Sequence, residues 1–370
     1  MDSRDAFLAD VRAMLPADAE LLDVHTHLGR DEDGAALDLP ALLEQLDTVG
    51  VRRACVFPLH DPDRHPAYRT PNDRVLAWAA ESDGRLIPFC RLDPVDGAVG
   101  ELERCLARGA RGVKLHPRAQ AFGFDGGPVD ELLASAAQAR VPVLVHAGRG
   151  MPPIAEGLAR AALAQPELVL ILAHAGIADQ AVLATMLAGH PGVLYDTSCF
   201  SPLDLVSLLA RVPAERVLFG SDPPYGHPLP GLYLALRAAA AAGLDETAVR
   251  GMLGGTAALV LSGDPPPAPA PARGPAAVTL WASLGRVLMY AALAFMALTT
   301  GAPAAAREAL ALALAACRDP EPQGDGPALE RAAEALEAAR ALLATPEGVR
   351  ESLLLVHLTM TLAATEPTAA

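Results

Sequence analysis

The chain has 370 residues, is 52% hydrophobic and 20% charged, and carries a formal net charge of −15 at pH 7. Its length and apolar content suffice for a large buried core and a second, smaller unit. The acidic balance excludes nucleic-acid binding and attraction to anionic membranes, because both need a basic footprint.

Residues 1–10 hold Asp2, Arg4, Asp5 and Asp10 without a long apolar run, which does not fit a signal peptide. From there to residue 264 a short apolar run followed by a longer Ala/Leu-rich stretch recurs about every thirty positions. Strands are expected near 20–25, 51–57, 85–91, 111–116, 142–147, 168–174, 192–197 and 215–221. Helices are expected near 39–48, 72–82, 97–109, 128–139, 152–164, 178–188, 202–210 and 230–241. Eight such alternations predict an α/β fold, a closed parallel (β/α)8 TIM barrel over residues 1–264. An open doubly wound sheet would carry a Gly-rich fingerprint after its first strand. Here that strand ends in Val24-His25-Thr26-His27-Leu28-Gly29.

Asp264 opens a Pro-dense stretch, read as a semi-rigid linker over 265–275. Residues 276–370 then read as a small all-α helical domain, with helices near 277–299, 303–317, 327–344 and 347–364. Pro303, Pro320, Pro327 and Pro346 fall at their starts or boundaries. Leu329, Leu336 and Leu343 recur on one face of the third, with Glu330, Glu334 and Glu337 on the other. The helix at 277–299 is long enough to span a membrane, but Arg286 near its middle costs about 2.5–3.5 kcal/mol on insertion scales. A buried bundle helix is therefore expected, and no membrane partner. Packing of these helices against the barrel, or against a second copy in a homo-oligomer, stays open.

The five cysteines, Cys55, Cys90, Cys105, Cys199 and Cys317, form no Cys-x-x-Cys pair, so reduced, mostly buried thiols in a cytoplasmic protein are expected. The chemistry lies instead at strand ends. His25 and His27 are two apart on a strand, so both imidazoles face one side. At the C-terminal end of a barrel strand that side is the mouth, where sites of this fold lie. Two neutral imidazoles there suit a divalent metal; alone, the pair fits two hydrogen-bonded histidines equally well. Three later strands end the same way: Val143-Leu144-Val145-His146, Leu170-Ile171-Leu172-Ala173-His174 and Val217-Leu218-Phe219-Gly220-Ser221-Asp222.

Lys114, in Gly112-Val113-Lys114-Leu115-His116-Pro117, is the single lysine among 29 basic residues. A barrel strand is a costly place for a charge. A buried lysine can lose its proton and act as base, nucleophile or carbamate precursor, whereas arginine stays charged; a structural ion pair is the alternative. His116 shares the face of Lys114 and is a candidate for orienting substrate. Arg149, in a Gly-rich loop after His146, is a candidate clamp for an anionic group, or else an ordinary surface arginine. His60, Arg91 and Tyr225 also lie near strand ends. His65, His190, His227 and His357 read as ordinary loop or helix histidines.

His25-Thr26-His27, Lys114, His146, His174 and Asp222, in this strand order, resemble the amidohydrolase superfamily. The stretches around Lys114 and Gly220-Ser221-Asp222-Pro223 are most similar to its amidohydrolase-related branch of barrel hydrolases. The resemblance spans about residues 18–262 and leaves out the linker and the last helices. Thr256, in Gly254-Gly255-Thr256-Ala257, stands where the family often has Asn. The resemblance implies that His25, His27 and Asp222 bind one divalent metal and that Asp222 takes a proton from the metal's water. In two-metal members a carbamylated lysine, here Lys114, bridges to a second ion held by His146 and His174. In one-metal members His146 joins the first ion and His174 orients or activates the water. Zinc is the default for such donors, with manganese or iron compatible.

The leading expectation is a metal-dependent hydrolase that opens a C–N or C–O bond of a small molecule, such as an amide, lactone or ester, through activated water. The alternative on the same barrel is a non-oxidative decarboxylase. A third reading is a non-catalytic metal-binding scaffold whose helices recruit a partner.

Overall fold

The computed structural model describes residues 3–272, 274, 280–320 and 325–366. The expected linker residue Pro275 and the expected helix start at 277–279 lie outside the described residues.

In chain order, the elements are α1 (Ser3–Met14), β1 (Leu22–Arg30), β2 (Ala36–Leu37), α2 (Leu39–Val49), β3 (Arg53–Pro58), α3 (Arg69–Glu81), β4 (Leu86–Arg91), α4 (Ala98–Ala107), β5 (Gly112–Leu115), α5 (Pro128–Ala139), β6 (Val143–Val145), α6 (Ala155–Leu163), β7 (Leu170–Leu172), α7 (Gln180–Met186), β8 (Val193–Asp196), α8 (Pro202–Arg211), β9 (Val217–Leu218), α9 (Pro228–Ala241), α10 (Glu246–Arg250), α11 (Thr256–Leu261), α12 (Ala282–Thr299), α13 (Pro303–Ala316), α14 (Gly326–Leu342) and α15 (Val349–Thr365). Side chains and prolines mark several helix starts. Asp38 accepts from the Ala41 N–H, Ser201 from Asp204 and Asp245 from Ala248. Proline occupies the first turn of α2, α5, α8, α9, α13 and α14.

The strands form one curled sheet in the order β2-β1-β3-β4-β5-β6-β7-β8-β9. All neighbours are parallel except the short antiparallel pair β1–β2. The short runs Val143–Val145 and Leu170–Leu172 are wholly buried, as parallel strands covered on both faces require.

Eight of these strands match the expected runs, but the last is much shorter than 215–221 and the strand ladder does not run on from β9 to β1 among the described residues. Irregular backbone after β9 makes the junction instead. The Val24 N–H donates to Phe219 O (2.9 Å), the Asp222 N–H to His25 O (2.7 Å) and the His27 N–H to Pro223 O (3.0 Å). Asp222 sits there with φ 60°, a left-handed conformation that no strand contains. The two-residue β2 is too short to show a period, whereas α1 places Phe7, Val11 and Met14 at helical spacing and was not expected.

Inside the curl, Leu22, Val24, Phe57, Phe89, Leu144 and Ile171 belong to one apolar cluster. Beside it β5 supplies Lys114 rather than an apolar side chain, with Nζ 4.8 Å from the centre of the Phe57 ring. A second, larger core lies between the sheet and its surrounding helices. The last four helices belong to that same core. Helix α15 packs on α8 and α9, α14 on α1, and α12 on α13 and α15. Helix α12 is the one described helix long and apolar enough to cross a membrane. It buries Leu284, Val287, Phe295 and Leu298, and its Arg286 pairs with Asp319 at 2.8 Å on the exposed side.

Candidate metal centre

His25, His27 and Asp222 offer ligand atoms that all lie within 4.8 Å of one another, and all three residues are buried. Asp222 Oδ1 is 3.2 Å from His25 Nε2 and 3.2 Å from His27 Nε2. A bulge helps to set this up. Between Asp23 and Thr26, β1 advances three residues while β3 advances two, from Ala54 to Val56. The extra residue bends the strand just where the histidines begin.

Around this corner stands a shell that sequence reading did not single out. The His25 Nδ1–H donates to Asp196 Oδ2 at 2.7 Å, leaving the Nε2 lone pair turned toward Asp222. Asp196 Oδ1 accepts from the His174 N–H (2.8 Å), the Ser198 N–H (3.0 Å) and the Ser198 hydroxyl (2.6 Å). Asp23 accepts from the backbone N–H groups of His25 and Ser221 and from the Ser221 hydroxyl. A carboxylate behind a histidine fixes its tautomer and raises its basicity as a ligand. Asp196 had a visible signal, since Val193-Leu194-Tyr195-Asp196 ends an apolar run in an acid just as the chosen strands do.

Charge follows from burial and these partners. Burial and the Lys114 ammonium press His25 down, but Asp222 and Asp196 outweigh them and hold it above its ordinary pKa. Burial depresses His27 to about 3 despite Asp222. Burial works to raise Asp222, but the adjoining His25 and His27 keep it well below the usual carboxylate range. Likewise Asp196 is held at about 2 by His25, His174 and Ser198 against its burial. Two ionised carboxylates around two imidazoles form a negative, oxygen- and nitrogen-lined corner. Such a donor set fits a divalent cation, and these residues could hold one.

His146 and His174 face each other beside that corner, with His146 Nδ1 2.9 Å from His174 Nε2. Their tautomers follow from the partners. The carbonyl of Ser198 can only accept, so the His174 Nδ1–H donates to it at 2.9 Å. His174 Nε2 then accepts from the His146 Nδ1–H, and His146 Nε2 keeps a free lone pair. Burial lowers both imidazoles, so both are neutral near pH 7. His174 and Ala175 have φ 58° and 56°, a backbone state costing about 1–3 kcal/mol each and typical of functional turns. Gly148 leaves room for the pair, since a Cβ there would come within 2.6 Å of the His174 ring and 3.1 Å of His146.

The Lys114 Nζ–H donates to His25 Nε2 at 3.2 Å. Burial lowers the ammonium to about 7, against the attraction of Asp222. His116 stacks on His146, ring centres 3.8 Å apart and 13° from parallel. His25, His27, Lys114, His116, His146, His174 and Asp222 line one cavity of about 770 Å3. Arg149 also borders it but is exposed, with Nη1 2.6 Å from Met296 Sδ. Tyr225 sits on the rim, its hydroxyl donating to Asp31 at 2.7 Å. His60 bonds to the Tyr68 hydroxyl. His65 lies by Asp96 at the surface, His190 bonds to the carbonyls of Ala162 and Gln165, and His227 caps α9. His357 is packed against Phe200 and Phe295.

The C-terminal helices were not expected at this site, yet they wall it. Phe295 and Thr299 of α12 and Leu353 of α15 line the same cavity as His25 and Asp222. Their approach follows from the packing of α15 across α8 and α9, whose flanking loops form the mouth.

Several solved structures share the fold. The 5-carboxyvanillate decarboxylase LigW from Sphingomonas paucimobilis superposes with a TM-score of 0.52 at 16% identity, over 66% of this chain and 99% of its own. An IDCase from Metarhizium anisopliae gives 0.51 at 17%, over 67% and 98%. A dihydroxybenzoic acid decarboxylase from Polaromonas sp. JS666, with bound manganese and 2-nitroresorcinol, gives 0.50 at 16%, over 66% and 97%. At such identities the likeness speaks for the fold. No curated protein matches the chain in sequence. The amidohydrolase family model matches residues 22–262, well over half of the chain and the whole of the curled sheet with its ligand corner, and the protein therefore belongs to the amidohydrolase family.

Proposed function

We propose that the protein is a metal-dependent hydrolase of a C–N or C–O bond in a small molecule such as an amide, lactone or ester. The observation that carries this reading is the position of Asp222 Oδ1, 3.2 Å from both His25 Nε2 and His27 Nε2. His25, His27 and Asp222 would hold one divalent cation, zinc in the first instance, with manganese or iron suited to the same donors. When bound, such an ion makes hydroxide available from water near neutral pH and polarises the bond to be cleaved.

The chain's own groups do the rest. The Asp222 carboxylate takes the proton of the attacking water and returns it to the leaving group. Asp196 holds the His25 ring so that Nε2 keeps facing the ligand corner. Ser198 O fixes His174, which fixes His146, so that His146 Nε2 presents a lone pair to the cavity. His116, stacked on His146, and the exposed Arg149 are the candidates for orienting substrate from the rim.

Non-oxidative decarboxylation is the second reading, favoured by the decarboxylase activity named for two of the three solved structures. The purified, metal-loaded chain separates the two on a panel of lactones, esters, amides and aromatic carboxylates. Hydrolysis predicts acid release from the first three groups, reduced by about 10^2-fold or more in Asp222→Asn. Release of CO2 from the carboxylates with no acid release elsewhere would overturn it.

A further inference from the structure

A second cavity, of about 350 Å3, adjoins the one at the metal corner. Its volume lies within the range of small-molecule pockets. Phe200, Tyr225, Phe295 and Leu353 line both cavities, so these four residues stand between the two spaces. His25, His27 and Asp222 border the first and not the second.

His357 of α15 is the unsatisfied group of this second space. From Leu354 onward the other polar side chains of that helix are satisfied within it. The hydroxyls of Thr359, Thr361 and Thr365 each donate to the carbonyl four residues back, at 2.8, 3.2 and 2.6 Å. Neither ring nitrogen of His357 is hydrogen-bonded to a described residue. Nε2 is closed to solvent, whereas Nδ1 is not, and the residue keeps 5% of its surface open where it lines this cavity. Burial lowers the imidazole to about 4, so the ring is neutral near pH 7. Phe200 and Phe295 fix its position, with ring centres 5.7 and 5.6 Å from that of His357 and 5.2 Å from one another. An unpartnered polar group in such packing is costly, and an apolar side chain would serve the packing better. On α2, Gln45 lines the same cavity, and its Oε1 is also buried without a partner.

The lining selects the chemistry of a ligand. Arg4 and Arg350 are set against Glu44, Glu347 and Glu351, and Arg4 stands 3.6 Å from Glu351. Neither an anion nor a cation is favoured by such a balance. A neutral imidazole presents a donor or an acceptor at Nδ1 according to its tautomer. A hydroxyl answers both, because it donates and accepts. Pro224, Pro230, Leu354 and the two phenylalanines give the cavity apolar surface of the kind that suits an aromatic ring. We infer that the second cavity is a binding site for a neutral phenol of a single ring, with its hydroxyl on His357 Nδ1 and its ring against Phe200 and Phe295. The site is separate from the metal corner and does not depend on the proposed reaction.

Phenol, toluene, benzoate and benzylamine are titrated by calorimetry into the full chain, for the parent, His357→Leu, Thr48→Phe and His27→Ala. The parent is expected to bind phenol in preference to the other three. His357→Leu should weaken phenol by roughly five- to tenfold, through the lost hydrogen bond. Thr48 lines the cavity from α2, so Thr48→Phe fills it with a ring and should abolish binding. His27→Ala should leave phenol affinity unchanged. Near neutral pH His357→Leu should melt at or above the parent temperature, because it removes an unpartnered buried group. No phenol binding by the parent, or binding of toluene, benzoate or benzylamine as tightly as phenol, would overturn the inference. So would unchanged phenol affinity in folded His357→Leu, and with a lower melting temperature it would make His357 a structural residue. Phenol affinity lost in His27→Ala but kept in His357→Leu would put phenol at the metal corner instead. If His357→Leu does not fold, unchanged phenol affinity in Thr48→Phe is the overturning result. Absent turnover with His357-dependent phenol binding intact would remove the proposed reaction and leave this site standing.

Discussion

The mouth of the curled sheet and the four C-terminal helices meet at one cavity but carry different kinds of information. The strand ends bring His25, His27, His146, His174 and Asp222 together through backbone geometry. The helices bring Phe295, Thr299 and Leu353 to the same space through side-chain packing alone. Chemistry is thus set by a framework that the matched family model covers, residues 22–262. The shape above it is set by a segment beyond that match. The comparison teaches that ligand identity and cavity shape are separable here, and each can be disturbed without the other.

The largest expected effect is on the framework. Asp222→Asn keeps the size of the side chain but removes its charge and its basicity. Turnover of any accepted substrate should fall by about 10^2- to 10^4-fold, with the fold retained by circular dichroism. Activity within a few fold of the parent would break the assignment of Asp222. Gly148→Ala comes next. Its Cβ would press on the His174 ring at 2.6 Å, so the imidazole pair must shift. The expected cost is about 1–3 kcal/mol of stability, with a clear loss of kcat and the metal content retained.

Leu353→Ala probes the helices. It should change KM by up to about tenfold between substrates of different apolar bulk, since a lost methylene or two in a pocket is worth roughly 1–3 kcal/mol. Metal content and kcat on the smallest substrate should stay. An equal effect on all substrates would mean that α15 only supports the fold.

The smallest effect is one of pH. Burial lowers the His357 imidazole to about 4 in the folded chain. Its folded pKa lies below the unfolded one near 6.5, so the folded state binds fewer protons between the two values. Stability from this residue is present above pH 6.5 and falls as the pH drops toward 4. Between pH 7 and pH 5 the loss is on the order of 1–2 kcal/mol. Denaturant melts of the parent and His357→Leu check this, and the variant should lose less stability over that interval. Equal losses would mean that His357 is already neutralised by another partner.

Much of the ligand corner was legible because strand ends write themselves into sequence: an apolar run stops, and a His or Asp follows. His25, His27, His146, His174 and Asp222 all announce themselves so, and the single lysine marks Lys114. Asp196 carries the same mark and could have been read with them. Asp23 could not, because its role depends on Ser221 across the sheet. The irregular backbone that joins β1 to Phe219 and Pro223 also left no trace, since apolar residues there read as strand. The reach of Phe295 and Leu353 into the cavity was illegible for a different reason. Helical periodicity tells that a face is buried but not against what, and α15 buries nearly every side chain from Leu354 to Thr365.

The most direct test of the account is the metal content of the purified full chain, by elemental analysis, for the parent and His27→Ala. About one divalent ion per chain in the parent, lost in the folded variant, is the predicted result. No ion in the parent after equilibration with zinc or manganese, or an unchanged content in His27→Ala, would contradict the ligand corner on which the proposed reaction stands.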